Sequence, residues 1–351
     1  MNERQIGAKV SLAVKYRPKC WEDVTEQSVV KDILENQVLT KTVQSAYLFT
    51  GPSGTGKTTS ARIFASMINA GKGNPIEVDA ASNSGVDNIR QIIEDAKRKP
   101  LDAEYKIFIV DECHSLSDSS WQALLKTLEE PPKFTIFIFC TTNPEKIPAT
   151  ILSRVQRYNF QKISNEGIVD RLNMILEKES DEIDNLSCKL NWEQDALEFI
   201  SKVSSGGMRD AITLLDKCLS LSHDVTLENV LKTIGSEDYS TFITFLSALE
   251  GKVKVSAVRI IETVYNAGKD VKQFMKDFSK FILEVEKYAL YNNFDYISLP
   301  NMLENELEQL IDDTLFNVMD FVISLNNQIK WENDSKTLIE LSILIYCGKE
   351  Y

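Results

Sequence analysis

The sequence predicts an α/β domain, with a parallel sheet flanked by helices, followed by a small helical domain and an all-α C-terminal domain. Three observations carry this. The stretch Gly51-Pro52-Ser53-Gly54-Thr55-Gly56-Lys57-Thr58 fits G-x-x-x-x-G-K-[ST] and lies between an apolar run at 46–50 and helical spacing at Ala61, Phe64, Ala65 and Ile68. Segments 106–110 and 133–140 are apolar runs of strand length, continuous enough to be buried on both faces. Beyond about residue 237 strand signals stop, and only helical stripes follow.

With 351 residues the chain exceeds what one core usually supports. The expected boundaries are 1–163 for the sheet domain, 164–234 for a helical lid and 235–351 for the last helical domain. No stretch of about 18 apolar residues occurs and the first residues are polar, so a cytoplasmic protein without a membrane partner is expected. Cys20, Cys113, Cys140, Cys188, Cys218 and Cys347 are scattered without a C-x-x-C pair, which suggests neither a zinc site nor a disulfide framework. The formal net charge is −13 but unevenly distributed: residues 1–163 carry 21 Lys and Arg against 19 Asp and Glu, the remainder 18 against 33. Any contact with a phosphate backbone is therefore expected from the first domain.

In chain order, Lys15-Tyr16-Arg17-Pro18 ends in a proline that breaks regular structure, and residues 29–38 read as an amphipathic helix. Tyr16, Val24 and Val30 are either an apolar slot for a purine or plain core. The run Ala46–Thr50 is a strand. The glycine loop after it reads as a phosphate cradle, because a backbone freed of Cβ atoms can aim several N–H groups at one anion. Lys57 would reach the β and γ phosphates, the Thr58 hydroxyl would ligate Mg²⁺, and the positive end of the following helix would add to the field. A short strand at 75–79 leads through Asp79–Gly85 into a helix at 86–97. The polar start of that helix is a second anion site or is simply capped by Asn83 or Ser84.

The strand Lys106–Val110 ends in Asp111-Glu112, at the sheet edge where parallel α/β folds bind ligands. Asp111 would hold Mg²⁺ and Glu112 would polarise a water for attack on a γ-phosphate. Cys113 and His114 have no further metal ligands nearby and read as packing. A helix at 117–130 stops at Pro131-Pro132, and the strand 133–140 ends at Thr141-Thr142-Asn143-Pro144, where a small polar group would feel the γ-phosphate. Ile168, Leu172 and Ile175 form one helical stripe, and Ala196, Phe199, Ile200 and Val203 another. Gly206-Gly207 precede a helix at 208–221. In the last domain Val271, Phe274, Met275, Phe278, Ile282 and Val285 keep near-heptad spacing, as do Leu303, Leu307, Leu310, Ile311, Val318 and Leu325.

Five segments together resemble the gamma/tau family of bacterial DNA polymerase III, clamp-loader ATPases of the AAA+ class. They are KYRP at 15–18, AYLFTGPSGTGKTT at 46–59, DAASNSGVDNIR at 79–90, the run from Trp121 to Arg154, and GGMRDAITLLD at 206–216; in order they span about residues 10–220. The resemblance implies that Gly51 to Thr58 with Thr59, and Tyr16, Arg17 and Pro18, bind ATP. It implies that Lys57 and Thr58 are the Walker A pair, Asp111 and Glu112 the Walker B pair, and Thr142 the first sensor. Arg209 matches the second sensor, which touches the phosphates of its own subunit, and Arg154 the arginine finger, which reaches a neighbour's site. Asn83, Ser84 and Arg90 are the candidates for tracking DNA.

The implied partners are a sliding clamp, primer-template DNA read without sequence preference, and other loader subunits in a pentameric ring joined by the C-terminal collar. The finger motif, serine-arginine-cysteine in the family, is Ser153-Arg154-Val155 here. Between Ile68 and Pro75 the family's four-cysteine zinc module is missing, so a divergent short form without zinc is expected. The chain ends at Tyr351, short of the tail by which a tau-type subunit contacts polymerase and helicase. A branch-migration motor, the alternative on the same fold, would end in a winged helix with strand signals and basic residues. A non-hydrolysing scaffold subunit would lack part of the set Lys57, Thr58, Asp111 and Glu112.

Overall fold

Successive side chains of a strand point to opposite faces, so an apolar run without polar breaks needs a core on each side. In the computed structural model, which describes residues 10–183, 190–234, 238–293, 297, 299, 307, 315–332 and 334–348, the runs are used that way. Strands β1 (Ala46–Thr50), β2 (Ile76–Asp79), β3 (Lys106–Asp111), β4 (Thr135–Thr141) and β5 (Gln156–Asn159) form one parallel sheet in the order β2-β3-β4-β1-β5. Tyr47, Phe49, Ile107, Ile109, Ile136 and Ile138 pack on one face beneath α2 (Ser28–Leu39) and α3 (Lys57–Ile68), which follow a short α1 (Leu12–Lys15). Leu48, Phe108, Val110, Phe137 and Phe139 pack on the other, beneath α4 (Val86–Ala96), α5 (Asp118–Glu129) and α6 (Ala149–Leu152).

The element ends follow local chemistry. Ser117 caps α5 by accepting from the Ser120 N–H. α4 begins after Gly85 with no side-chain cap. Asn83 turns its amide to the Asp79 carbonyl, while the Ser84 carbonyl accepts from the Ser120 hydroxyl. The capping by Asn83 or Ser84 weighed from the sequence is therefore absent.

Helices α7 (Asn165–Ile183), α8 (Gln194–Val203) and α9 (Met208–Leu221) follow, with a small parallel pair, β6 (Asn191–Trp192) and β7 (Asp224–Val225). The described residues divide into two compact units, 1–225 and 226–351. The second is helical throughout its described residues: α10 (Leu227–Ile234), α11 (Asp238–Glu250), α12 (Lys254–Asn266), α13 (Val271–Tyr291) and the helices Leu315–Ile329 and Ser335–Gly348. Its core takes in the whole stripe from Val271 to Val285, with Leu307, Val318 and Leu325, and Phe242, Phe245, Phe274, Phe278 and Phe281 stack within it. Leu303, Leu310, Ile311 and Cys188 lie outside the described residues. No described helix is long and apolar enough to cross a membrane.

Candidate functional site

At the C-terminal edge of the sheet, the glycine loop joins β1 to α3. Gly51 has φ +143°, and a Cβ there would sit 2.3 Å from the Phe160 carbonyl oxygen, so no side chain fits between β1 and the chain after β5. Gly54, at φ +73°, lies where a Cβ would come 3.0 Å from the Gly207 Cα. That close approach lets the Gly54 carbonyl accept from the Met208 N–H at 3.1 Å, which docks the start of α9 on the loop. α3 begins at Lys57 without a side-chain cap, leaving its first N–H groups for a ligand.

Lys57 is buried and donates from Nζ to the carbonyls of Gly51 at 2.8 Å and Pro52 at 2.7 Å. Burial pushes its pKa down, while Glu112 and Asp111 oppose that shift. Thr58 Oγ1 donates to Asp111 Oδ2 at 2.8 Å, so one hydroxyl and one carboxylate meet at a point. Those are oxygen donors of the kind that a small hard cation takes, and the pair fits Mg²⁺. The other Asp111 oxygen accepts from the Glu112 N–H at 3.0 Å.

Glu112 itself sits at φ 46°, ψ 41°, a left-handed conformation that costs a non-glycine residue about 1–3 kcal/mol. The turn it makes lets its carboxylate line the cleft beside the loop. Glu112 Oε2 accepts from Thr142 Oγ1 at 3.4 Å and lies 3.3 Å from His114 Nδ1.

A cleft of about 290 Å³ gathers most of the expected residues. Tyr16, Arg17, Pro18 and Val24 line one end, Ser53 to Thr59 with Asp111 and Glu112 the other, and Met208, Arg209 and Ile212 of α9 close over it. Gly51 and Pro52 lie behind the cleft and hold Lys57 by their carbonyls. The Tyr16 hydroxyl donates to Glu179 of α7 at 2.8 Å. Val30 does not line the cleft; it packs in the core with Trp21 and Leu34, so of its two readings it takes the plain one.

Arg154 lies outside the cleft, exposed, with Nη2 2.6 Å from Glu129 Oε1 and Nη1 on the Ser153 hydroxyl and the Thr150 carbonyl. Asn83, Ser84 and Arg90 do not line the cleft, and the exposed Arg90 pairs with Asp87 at 3.0 Å.

Sequence reasoning missed three contributors. Arg171 of α7 lines the cleft and donates to the Tyr16 carbonyl at 2.9 Å, its pKa lowered by burial. Arg62 of α3 pairs with Glu77 at 2.5 Å. Burial, then the charges of Arg62 and Arg209, lower the pKa of Arg17, so three guanidiniums converge on this site. His114, read as packing, contacts both Glu112 and Thr141. No short pattern marks these residues, since separate elements bring them in. Among the described residues no group of three or more His, Cys, Asp or Glu is arranged to share a metal ion.

The sheet order, the loop between β1 and α3, the acidic pair after β3 and the arginine-bearing helix against the loop define a P-loop protein of the AAA+ class. The fold is shared with the Thermotoga maritima RuvB Holliday junction branch migration motor, with a TM-score of 0.50 at 20% identity over 67% of this chain and 79% of that one. Among sequences, the chain is 34% identical to DNA polymerase III subunit tau of Bacillus subtilis (strain 168), over 95% of its own length and 62% of that protein. It is 36% identical to DNA polymerase III subunit gamma of Buchnera aphidicola subsp. Baizongia pistaciae, with 69% of each covered. The Mycoplasma genitalium gamma/tau subunit is 34% identical, and half of its length is spanned. A family model described as DNA polymerase III, delta subunit, matches residues 74–164. The chain belongs to the DNA polymerase III gamma/tau family, as its motifs led us to expect, and spans 62% and 50% of the first two relatives' lengths.

Proposed function

We propose that this protein is an ATPase subunit of a sliding-clamp loader, coupling ATP binding to clamp opening and primer-template binding, and hydrolysis to release. The observation that carries the reading is the single cleft shared by the glycine loop, Asp111, Glu112 and Arg209. ATP with Mg²⁺ supplies the phosphoanhydride that is cleaved there. Lys57 exchanges its two carbonyl partners for phosphate oxygens, a gain because a charged acceptor makes the stronger hydrogen bond. Thr58 and Asp111 would hold the cation. Glu112 takes the proton of the attacking water, and Thr142 steadies its carboxylate. Arg209, on the helix docked on the loop, reads the phosphates, so that α7 to α9 act as the lid.

The wider assembly is part of the same reading. Arg154 reaches a neighbouring subunit, residues 235–351 act as the oligomerising collar, and the loader is a pentameric ring that acts on a clamp. DNA is tracked at the uncapped start of α4 by Asn83, Ser84 and Arg90. Two substitutions test the core of it. Glu112→Gln is nearly isosteric but cannot act as a base. It keeps ATP affinity and lowers turnover about 10²- to 10⁴-fold, trapping a complex bound to clamp and DNA. Wild-type turnover in that variant refutes the assignment. Lys57→Ala weakens ATP binding itself by about 10- to 100-fold, the scale of a hydrogen bond to a charged group, read by titration.

A further inference from the structure

His114 is one of only two histidines in the chain, and the proposed reaction gives it no part. It lies in a 3-10 turn (Cys113–Ser115) directly after Glu112, with 17% of its side chain exposed. Its Nδ1 lies 3.0 Å from Thr141 Oγ1, at the end of β4, and 3.3 Å from Glu112 Oε2. Thr141 is fully buried, and its oxygen also accepts from the Asn143 N–H at 3.0 Å. The proton count fixes the direction of these contacts. A carboxylate oxygen carries no proton, so the 3.3 Å approach is favourable only with the proton on Nδ1. With the proton on Nδ1, His114 donates to Thr141 Oγ1 at 3.0 Å and sets the same N–H beside Glu112 Oε2 at 3.3 Å.

Glu112 Oε2 therefore takes both of its side-chain contacts, from Thr142 on one strand end and His114 on the other, and Oε1 has no partner among the described residues. A carboxylate on two free torsions reaches a given water only part of the time. One tethered by a single oxygen presents the other in one direction. We infer that His114 is a positioning residue, which through its Nδ1–H fixes the Glu112 carboxylate and ties it to the end of β4 at Thr141. This rests on the reading of Glu112 as the base in ATP hydrolysis, and it adds a residue that holds the base without touching the nucleotide. It also makes the base sensitive to any movement of the Thr141-Thr142 pair, because both tethers of Oε2 lead to the end of β4.

The test uses the full chain assembled with its partner subunits, clamp and primed DNA for turnover, and the chain alone for spectroscopy. His114→Ala lowers kcat about tenfold, the size of one hydrogen bond to a carboxylate, with KM and titrated ATP affinity unchanged. His114→Asn carries its amide nitrogen near the position of Nδ1 and restores kcat to within about threefold of the wild type, whereas His114→Gln, whose amide overlies Nε2, does not. A kcat in His114→Ala equal to wild type overturns the proposal, and so does equal failure of Asn and Gln in variants that melt like wild type.

An independent arm needs neither ATP nor turnover. With nitrogen-labelled histidine the chain shows two imidazoles, and His223→Asn identifies the His114 signals. The expected result is the Nδ1–H tautomer of His114, a preference that is lost in Glu112→Ala. An Nε2–H tautomer indifferent to Glu112→Ala overturns the proposal even if His114→Ala fails to fold. Glu112→Gln run alongside separates the failures. If it turns over at the wild-type rate, the reading of Glu112 falls; if it is inactive while His114→Ala is fully active, only the role of His114 falls.

Discussion

Lys57 donates to two carbonyls of its own loop, so the side chain braces the glycine loop from within. The shape depends on Gly51. Its φ of +143° suits no side chain, and the atom that a Cβ would meet at 2.3 Å is a backbone oxygen of Phe160, which cannot swing aside. Gly51→Ala should therefore strain the junction of β1 and β5 by about 2 kcal/mol or more. In a unit of this size that lowers the melting temperature by about 4–8 °C, and a melting curve identical to wild type contradicts the account. That Lys57, Thr58, Asp111 and Glu112 share one cleft was legible in the sequence because each falls within a few residues of a strand end. Arg62 and Arg171 were not, since the first meets Arg17 and the second the Tyr16 carbonyl only once separate elements are in place. Val30, for which the sequence left an apolar slot and plain core both open, has its side chain in the core.

The strands that bury continuous apolar runs were readable from the sequence. β1, β3 and β4 hold continuous apolar runs and were found within two residues of their observed ends, while β5, with the sequence Gln-Arg-Tyr-Asn, went unseen. It is an edge strand, only Tyr158 of it is buried, and its pairing to β1 is made by backbone groups that any sequence supplies. The two-residue strands β6 and β7 were invisible likewise. α4 combines a readable body with an unreadable end. Its apolar spacing is clear, yet the fate of its first N–H groups depended on Asn83 and Ser84, whose bonds go elsewhere. Those open N–H groups and the exposed Arg90 make this helix the candidate for a phosphate strand. Arg90 is held only by Asp87, a surface pair worth less than about 1 kcal/mol, so it is available to a phosphate. Arg90→Glu should weaken DNA binding by the assembled loader and lower its salt dependence by about 0.9 in slope for each duplex phosphate that is no longer neutralised. An unchanged affinity and slope would move the DNA surface elsewhere.

At the scale of the whole molecule, one arginine of the expected set stands apart from the cleft of its own chain. Arg154 follows α6, exposed and tied to Glu129, while Lys57, Asp111, Glu112 and Arg209 share the cleft. A cation left outside its own site has a task if another subunit's site lies against it, which is the arrangement proposed for the ring. A finger supplied in trans is worth about 10³ to 10⁵ in rate in related GTPases, so even a small part of that effect is measurable. Arg154→Ala and Lys57→Ala should each be nearly inactive in assembled complexes. Mixing the two decides the matter. Where an Arg154→Ala chain supplies the cleft and a Lys57→Ala chain supplies the finger, one interface regains both groups, and activity partly returns. If Arg154 served its own chain, no arrangement of these two variants would bring an intact Lys57 and an intact Arg154 to one site. A mixture shown to co-assemble in both orders, yet no more active than the separate variants, would therefore exclude action across the subunit boundary.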